Sequence, residues 1–325
     1  MTIMRREFLG LAASAVGMTV ASSLVLAESY PTRPARLIVG FSPGGAPDVF
    51  ARLVAQWLTD RLGQPFIIEN RTGAGGNIAT ETVINAAPDG HTLLLVGLPN
   101  AVNATLYEKI NHDFIREIAP VAGISRDPNV MVVNPSFPAK TVQEFVMYAK
   151  ARPGQLTMAS AGNGTSPHMA GELFKLMAGI DMVHIPYRGS PPALNDLLAG
   201  QVQVYFAPIA AGIEHVKAGS LRALAVTAVT RSGALPDVPT VSEFIPGYES
   251  SAFYGIGVPK NVPVYIIDKL NSEINASLTD PNVTKRLADL GSSAFVVSPA
   301  EFSKFIAEET EKWAKVVRAA NIKPI

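Results

Sequence analysis

The stretch Gly-Phe-Ser-Pro-Gly-Gly-Ala-Pro-Asp at residues 40–48 constrains this chain more than any other. Before it runs an apolar strand pattern, Arg36-Leu37-Ile38-Val39. After it, Phe50, Leu53, Val54, Trp57, Leu58 and Leu62 recur at helical spacing until Gly63 stops them. Pro47 suits a first helical turn, where its missing N–H is no loss, and Asp48 complements the helix dipole. A strand, a glycine loop and a helix in that order make a βα unit. Its loop reads as an ordinary tight turn or as an anion site built from free N–H groups.

The loop fails two nucleotide motifs. Gly40 and Gly45 have the spacing of a phosphate-binding P-loop, but Ala46 and Pro47 stand where Lys and Ser or Thr are needed. A second loop, Gly73-Ala74-Gly75-Gly76-Asn77, follows the strand pattern Phe66-Ile67-Ile68 and has Ile78 where the dinucleotide fingerprint needs its third Gly. Both loops suit a small anion better than a cofactor, and no cofactor is expected.

Residues 1–27 read as an export signal. Arg5-Arg6 precedes an apolar run from Leu11 to Leu26, and Val25-Leu26-Ala27 offers a small-residue cleavage site. The run is short for a membrane span, which needs about 20 apolar residues. Arg-Arg-Glu-Phe-Leu also resembles a twin-arginine signal, with Met4 in place of the usual Ser or Thr, so both export routes stay open. The 27 basic and 27 acidic residues suggest no nucleic-acid partner. Zero cysteines exclude disulfides and thiol chemistry, and the five histidines form no zinc-type pair, so no metal is expected.

The rest of the chain alternates strands and helices. Strand patterns fall at 92–96, 130–133, 156–159, 182–185, 202–206, 221–227, 256–258 and 294–297. Thr141 with Glu144, and Ser298 with Glu301, are capping boxes that open helices; the second carries Phe302, Phe305, Ile306, Trp313, Val316 and Val317 on one face. Such alternation predicts an α/β fold with mostly parallel sheets, whose ligands collect at the carboxyl ends of strands. Two further loops lie at such ends, 160–168 and 187–190. In them Ser166 and Ser190 read as N-caps or as ligand hydroxyls, and His168 as a first-turn residue or a ligand contact. Asp196 braces the second loop or faces solvent.

Together these segments resemble one family. Pro43-Gly44-Gly45-x-x-Asp48 with Ala51-Arg52, Glu69-Asn70-Arg71, the 73–77 loop, Ala87-Pro88-Asp89-Gly90, Ser160-x-Gly162-x-Gly164-Thr165-x-x-His168 and Pro186-Tyr187-x-Gly189 look like the Bug-type solute receptors of tripartite tricarboxylate transporters. The match runs in order through the mature chain. The resemblance implies a periplasmic binding protein of type II-like fold, with two lobes, each a sheet flanked by helices, joined by a two-crossing hinge. Lobe one would comprise 28–127 and 250–325, and lobe two 128–249. The chain would cross near Arg126-Asp127-Pro128 and return near Glu249-Ser250-Ser251.

By the same resemblance, a small carboxylated solute would be gripped from lobe one by Phe41, Ser42, Pro43, Gly44, Gly45, Asp48, Gly75, Gly76 and Asn77. Lobe two would contribute Ser160, Asn163, Gly164, Thr165, His168, Tyr187, Gly189, Phe206 and Ala207. Family members often have Thr before the Asp of the first loop; Pro47 here removes that hydroxyl. Arg188 fills a variable slot and either grips a second carboxylate or faces solvent. The expected partners are inner-membrane transporter subunits and the expected state is a monomer. A sensory co-receptor would share every site residue. A hydrolase using Ser160 and His168 is the other rival, though no Gly-x-Ser-x-Gly elbow supports it.

Overall fold

The computed structural model describes residues 30–322, so the expected export signal lies outside the described residues. The elements alternate as the sequence predicts. In order they are β1 (Ala35–Val39), α1 (Ala46–Leu62), β2 (Phe66–Asn70), α2 (Asn77–Ile84), β3 (Thr92–Gly97), α3 (Leu98–Leu106), α4 (Phe114–Glu117) and β4 (Ile118–Val133). Next come α5 (Val142–Lys150), β5 (Thr157–Ser160), α6 (Ser166–Ala178), β6 (Val183–Pro186), α7 (Ser190–Leu198), β7 (Val204–Pro208), α8 (Ile209–Lys217) and β8 (Arg222–Val226). The chain closes with β9 (Ser251–Pro259), α9 (Val264–Thr279), α10 (Pro281–Asp289), β10 (Ser293–Ala294) and α11 (Pro299–Ala319).

Local chemistry accounts for the boundaries. α1 ends at Gly63, whose left-handed φ of 73° lets its N–H reach the Thr59 carbonyl. Ser298 and Glu301 form the full reciprocal capping box of α11. At α5 only half of the expected box forms: Thr141 accepts the Glu144 N–H, while the Glu144 carboxylate takes the N–H of Lys140.

The expectation of mostly parallel sheets needs correction. The pairs β1–β2, β1–β3, β5–β6 and β5–β7 are parallel, with helices connecting successive strands. Every pairing of β4 and β9 is antiparallel. These two strands pair over long sequence distances, which local periodicity does not register. β4 also carries Pro120 and Pro128, residues that argue against a strand interior. Register shifts between Pro120 and Ala122, and between Gly123 and Ser125, absorb part of the irregularity.

β4 belongs to two sheets. Ile118–Pro128 pairs with β9 in a sheet ordered β2-β1-β3-β9-β4, whereas Asn129–Val133 pairs with β7 and β8 in a sheet continuing β7-β5-β6. Apolar clusters pack these sheets to their helices. α11 buries Phe302, Ile306, Trp313 and Val317 against Phe253 and Val96; Phe174 of α6 meets Phe145, Phe206 and Tyr248. Each such side chain contributes roughly 1.5–3 kcal/mol on burial. Among the described residues, no helix is long and apolar enough to cross a membrane.

Candidate functional site

Where the two sheets face each other, an inner cleft is lined by the starts of four helices. The N-cap residues Gly45 of α1, Gly97 of α3, Thr165 of α6 and Gly189 of α7 all border it. Each helix carries proline in its first turn, at Pro47, Pro99, Pro167 and Pro191, and no cap side chain accepts the first-turn N–H groups. Pro208, which precedes α8, borders the same cleft. The positive ends of several helix dipoles therefore meet in one place. Among the described residues no charged side chain lines it; the walls are hydroxyls and apolar groups such as Phe41, Leu95 and Phe253. A negative charge is favoured there by dipoles and neutral donors alone.

The hydroxyls divide by what they already hold. Ser166 accepts from the Asn129 amide at 2.5 Å, and Ser190 accepts from the Tyr205 hydroxyl at 2.9 Å. Each keeps its own proton to donate. Neither serine is an N-cap, since Thr165 and Gly189 hold those positions. Thr165 spends its proton on the Gly162 carbonyl at 2.6 Å, so its hydroxyl shapes the turn.

An outer cleft adjoins the inner one through Phe41, Ser42 and Ala161, which line both. Gly75, Gly76, Asn163, Tyr187 and Arg188 border it. The Tyr187 hydroxyl donates to Asp196 at 2.6 Å, so Asp196 braces the loop. Burial, and then that carboxylate, push the Tyr187 pKa up to about 12. The loops of the two sheets touch here. Ser42 donates to the Arg188 carbonyl at 2.8 Å. A Cβ on Gly75 would stand 3.2 Å from the Asn163 carbonyl, and one on Gly164 2.8 Å from Asn103 Oδ1.

Several expected contacts lie outside both clefts. Pro43 and Gly44 border neither. The buried Asp48 carboxylate accepts from the Gly44 N–H, Arg52 and Asn70, and Asn70 also holds the Phe41 carbonyl. Burial alone would raise the Asp48 pKa, but those hydrogen bonds hold it below the usual carboxylate value. Asp48 thus fastens the loop to β2 and does not face the cleft. Asn77 bonds Asn103 and sits in a separate polar recess. Gly164 packs on α3. Phe206 and Ala207 are fully buried in the core, leaving Pro208 at the strand end to line the cleft. Ser160 is buried and bonded to His184, while His168 takes the Gly164 N–H; the two do not bond each other.

Sequence reasoning missed residues 95–99 and 252–254. The first had a usable signal, because β3 runs into Gly97 and Pro99 just as β1 runs into Gly45 and Pro47. The second had none, because β9 reaches the cleft only through its long-range pairing with β3 and β4. Among the described residues, no group of three His, Asp or Glu is placed to hold a metal ion.

Two α/β sheets sharing the long strand β4, with helix N-termini converging on the cleft between them, define a solute-binding protein of the periplasmic-receptor fold. Solved structures agree. A Rhodopseudomonas palustris protein solved with adipate superposes with TM-score 0.88 at 34% identity, covering 91% of this chain and 100% of its own. MatC from the same organism, solved with malate, gives 0.84 at 32% identity over 89% of this chain and 100% of its own. BugT of Bordetella pertussis is 38% identical over 302 residues, 92% of this chain and 93% of BugT. The family described as tripartite tricarboxylate transporter family receptor matches residues 50–322, and the chain belongs to it.

Proposed function

We propose that this receptor is exported, captures a small carboxylate in the inner cleft, and presents the closed complex to inner-membrane transporter subunits. The convergence of four uncapped helix N-termini on a cleft without charged side chains carries this reading. A carboxylate there meets dipoles and the free protons of Ser166 and Ser190, at little desolvation cost to the protein. Relatives of the same fold hold adipate and malate. Residues 28–127 with 250–325 form one lobe and 128–249 the other, hinged where β4 and β9 cross. A solute touching both lobes favours the closed state by its differential contacts.

No chemical step is required. Among the described residues two serine–histidine pairs bond, Ser160 with the His184 ring at 2.6 Å and the exposed Ser220 with His215 at 3.3 Å, and neither pair borders a cleft. Thermal-shift measurements on refolded mature protein, beginning near Glu28, test the reading against a panel of small acids. Adipate or malate should raise the melting temperature and be recovered unchanged. Stabilisation by neutral or cationic solutes alone would overturn the carboxylate assignment, and consumption of the acid would overturn the receptor. Capture of a sensor kinase instead of permease subunits would redirect the partner.

A further inference from the structure

Beneath the turn that carries Thr165 and Ser166 lie two stacked imidazoles that border neither cleft. The rings of His168 and His184 have centroids 4.0 Å apart and planes 16° from parallel. The Gly164 N–H donates to His168 Nδ1 at 3.1 Å. A backbone amide cannot accept, so Nδ1 is bare and the ring proton sits on Nε2. That nitrogen is 3.9 Å from Glu172 Oε1, and Lys175 holds the same oxygen at 3.0 Å. On the other ring, His184 Nε2 lies 2.6 Å from Ser160 Oγ, which accepts the Gly162 N–H at 3.1 Å. Both ends of the turn are thereby tied to the imidazole pair.

We propose that His168 is a positioning residue for solute binding: its bare Nδ1 holds the Gly164 N–H, fixing the turn that presents Thr165 and Ser166, and protonation of the ring releases it. A proton on Nδ1 would set N–H against N–H and lose the bond. Of the groups facing the pair, His184 and Lys175 oppose that proton. His184 faces it from β6, Lys175 from α6 itself, and Glu172 is engaged by Lys175 with Asp181 nearby. Burial, then His184 and Lys175, hold the His168 pKa well below its ordinary value, and burial with Lys175 holds His184 down to about 4. A depressed histidine pKa leaves its contribution intact at neutral pH and removes it as pH falls through the folded value.

The test uses the mature chain with adipate as probe, and its affinity arm rests on the carboxylate reading above. His168→Asn keeps an acceptor near Nδ1 but cannot take the proton; His168→Leu removes the acceptor. At about pH 7.5, the Leu variant should lose about tenfold or more in adipate affinity and exchange its Gly164 amide hydrogen about tenfold faster, while the Asn variant stays within about threefold. As pH falls well below the ordinary histidine range, wild type should lose affinity more steeply than the Asn variant, and protonation of adipate itself is common to both. Wild-type affinity and exchange in the Leu variant, or identical pH profiles for wild type and Asn, would overturn the proposal. If wild type takes up no adipate, the carboxylate reading fails and Gly164 exchange decides the positioning role alone. If the Leu variant does not fold, the comparison of wild type with Asn decides it.

Discussion

Ser190 and Asp48 show how two polar residues of similar sequence setting take different work. Ser190 stands in the first turn of α7 with its proton free toward the cleft and the buried Tyr205 hydroxyl donating to it. Ser190→Ala should weaken carboxylate binding by about tenfold, and leaving Tyr205 without an acceptor should cost about 1–3 kcal/mol of stability. Calorimetric titration and thermal melts of the same variant separate the two effects. Asp48 instead gathers the Gly44 N–H, Arg52 and Asn70. Its lowered pKa means that its stabilisation is present above the ordinary carboxylate range and is lost as pH falls below it. Asp48→Asn should therefore lower stability by about 2 kcal/mol at neutral pH and less in acid. A melt difference that does not shrink on acidification would contradict that account.

Among the elements, β4 carries the most unusual chemistry. At its transfer between sheets Asp127 is buried, bonded to Ser125 at 2.7 Å, with the Ser292 hydroxyl also acting on its carboxyl. Burial pushes its pKa up to about 7, outweighing the hydroxyls of Ser292 and Ser125. A raised carboxyl pKa gives stability that is complete below the unfolded value and declines as pH rises through the folded one. Wild type should accordingly lose at least about 1 kcal/mol more than Asp127→Asn between about pH 5 and about pH 8. Denaturant melts at both pH values measure this, and equal slopes for the two proteins would remove Asp127 from the pH dependence.

For the whole molecule, the proposed closure can be tested by how closely the loops of the two sheets meet. Gly164 combines a φ of 74° with contact against α3, where a Cβ would stand 2.8 Å from Asn103 Oδ1 and 3.1 Å from Leu106. Gly164→Val should hold the loops apart, since a branched side chain is strained at that φ and collides with Asn103 and Leu106 of α3. Affinity should fall by about tenfold or more, with each sheet still folded by circular dichroism. Small-angle scattering should show adipate contracting wild type and leaving the variant extended. A variant that contracts like wild type would mean that closure does not require this contact.

Elements whose causes are local were legible in the chain. Glycine and proline at strand ends, capping pairs such as Ser298 with Glu301, and the apolar stripe of α11 marked the alternation and the loops that build the cleft. Which residues of those loops face the cleft follows from long-range packing. Asp48, Ser160 and His168 belong to the right loops, yet their side chains satisfy partners from β2, β6 and neighbouring amides, and which partner wins depends on packing between distant segments. The antiparallel passage of β4 and β9, and the arrival of Phe253 and Tyr254 at the cleft, likewise follow from pairing across the length of the chain. Local periodicity records what a segment can bury; it carries no record of the distant strand against which it does so.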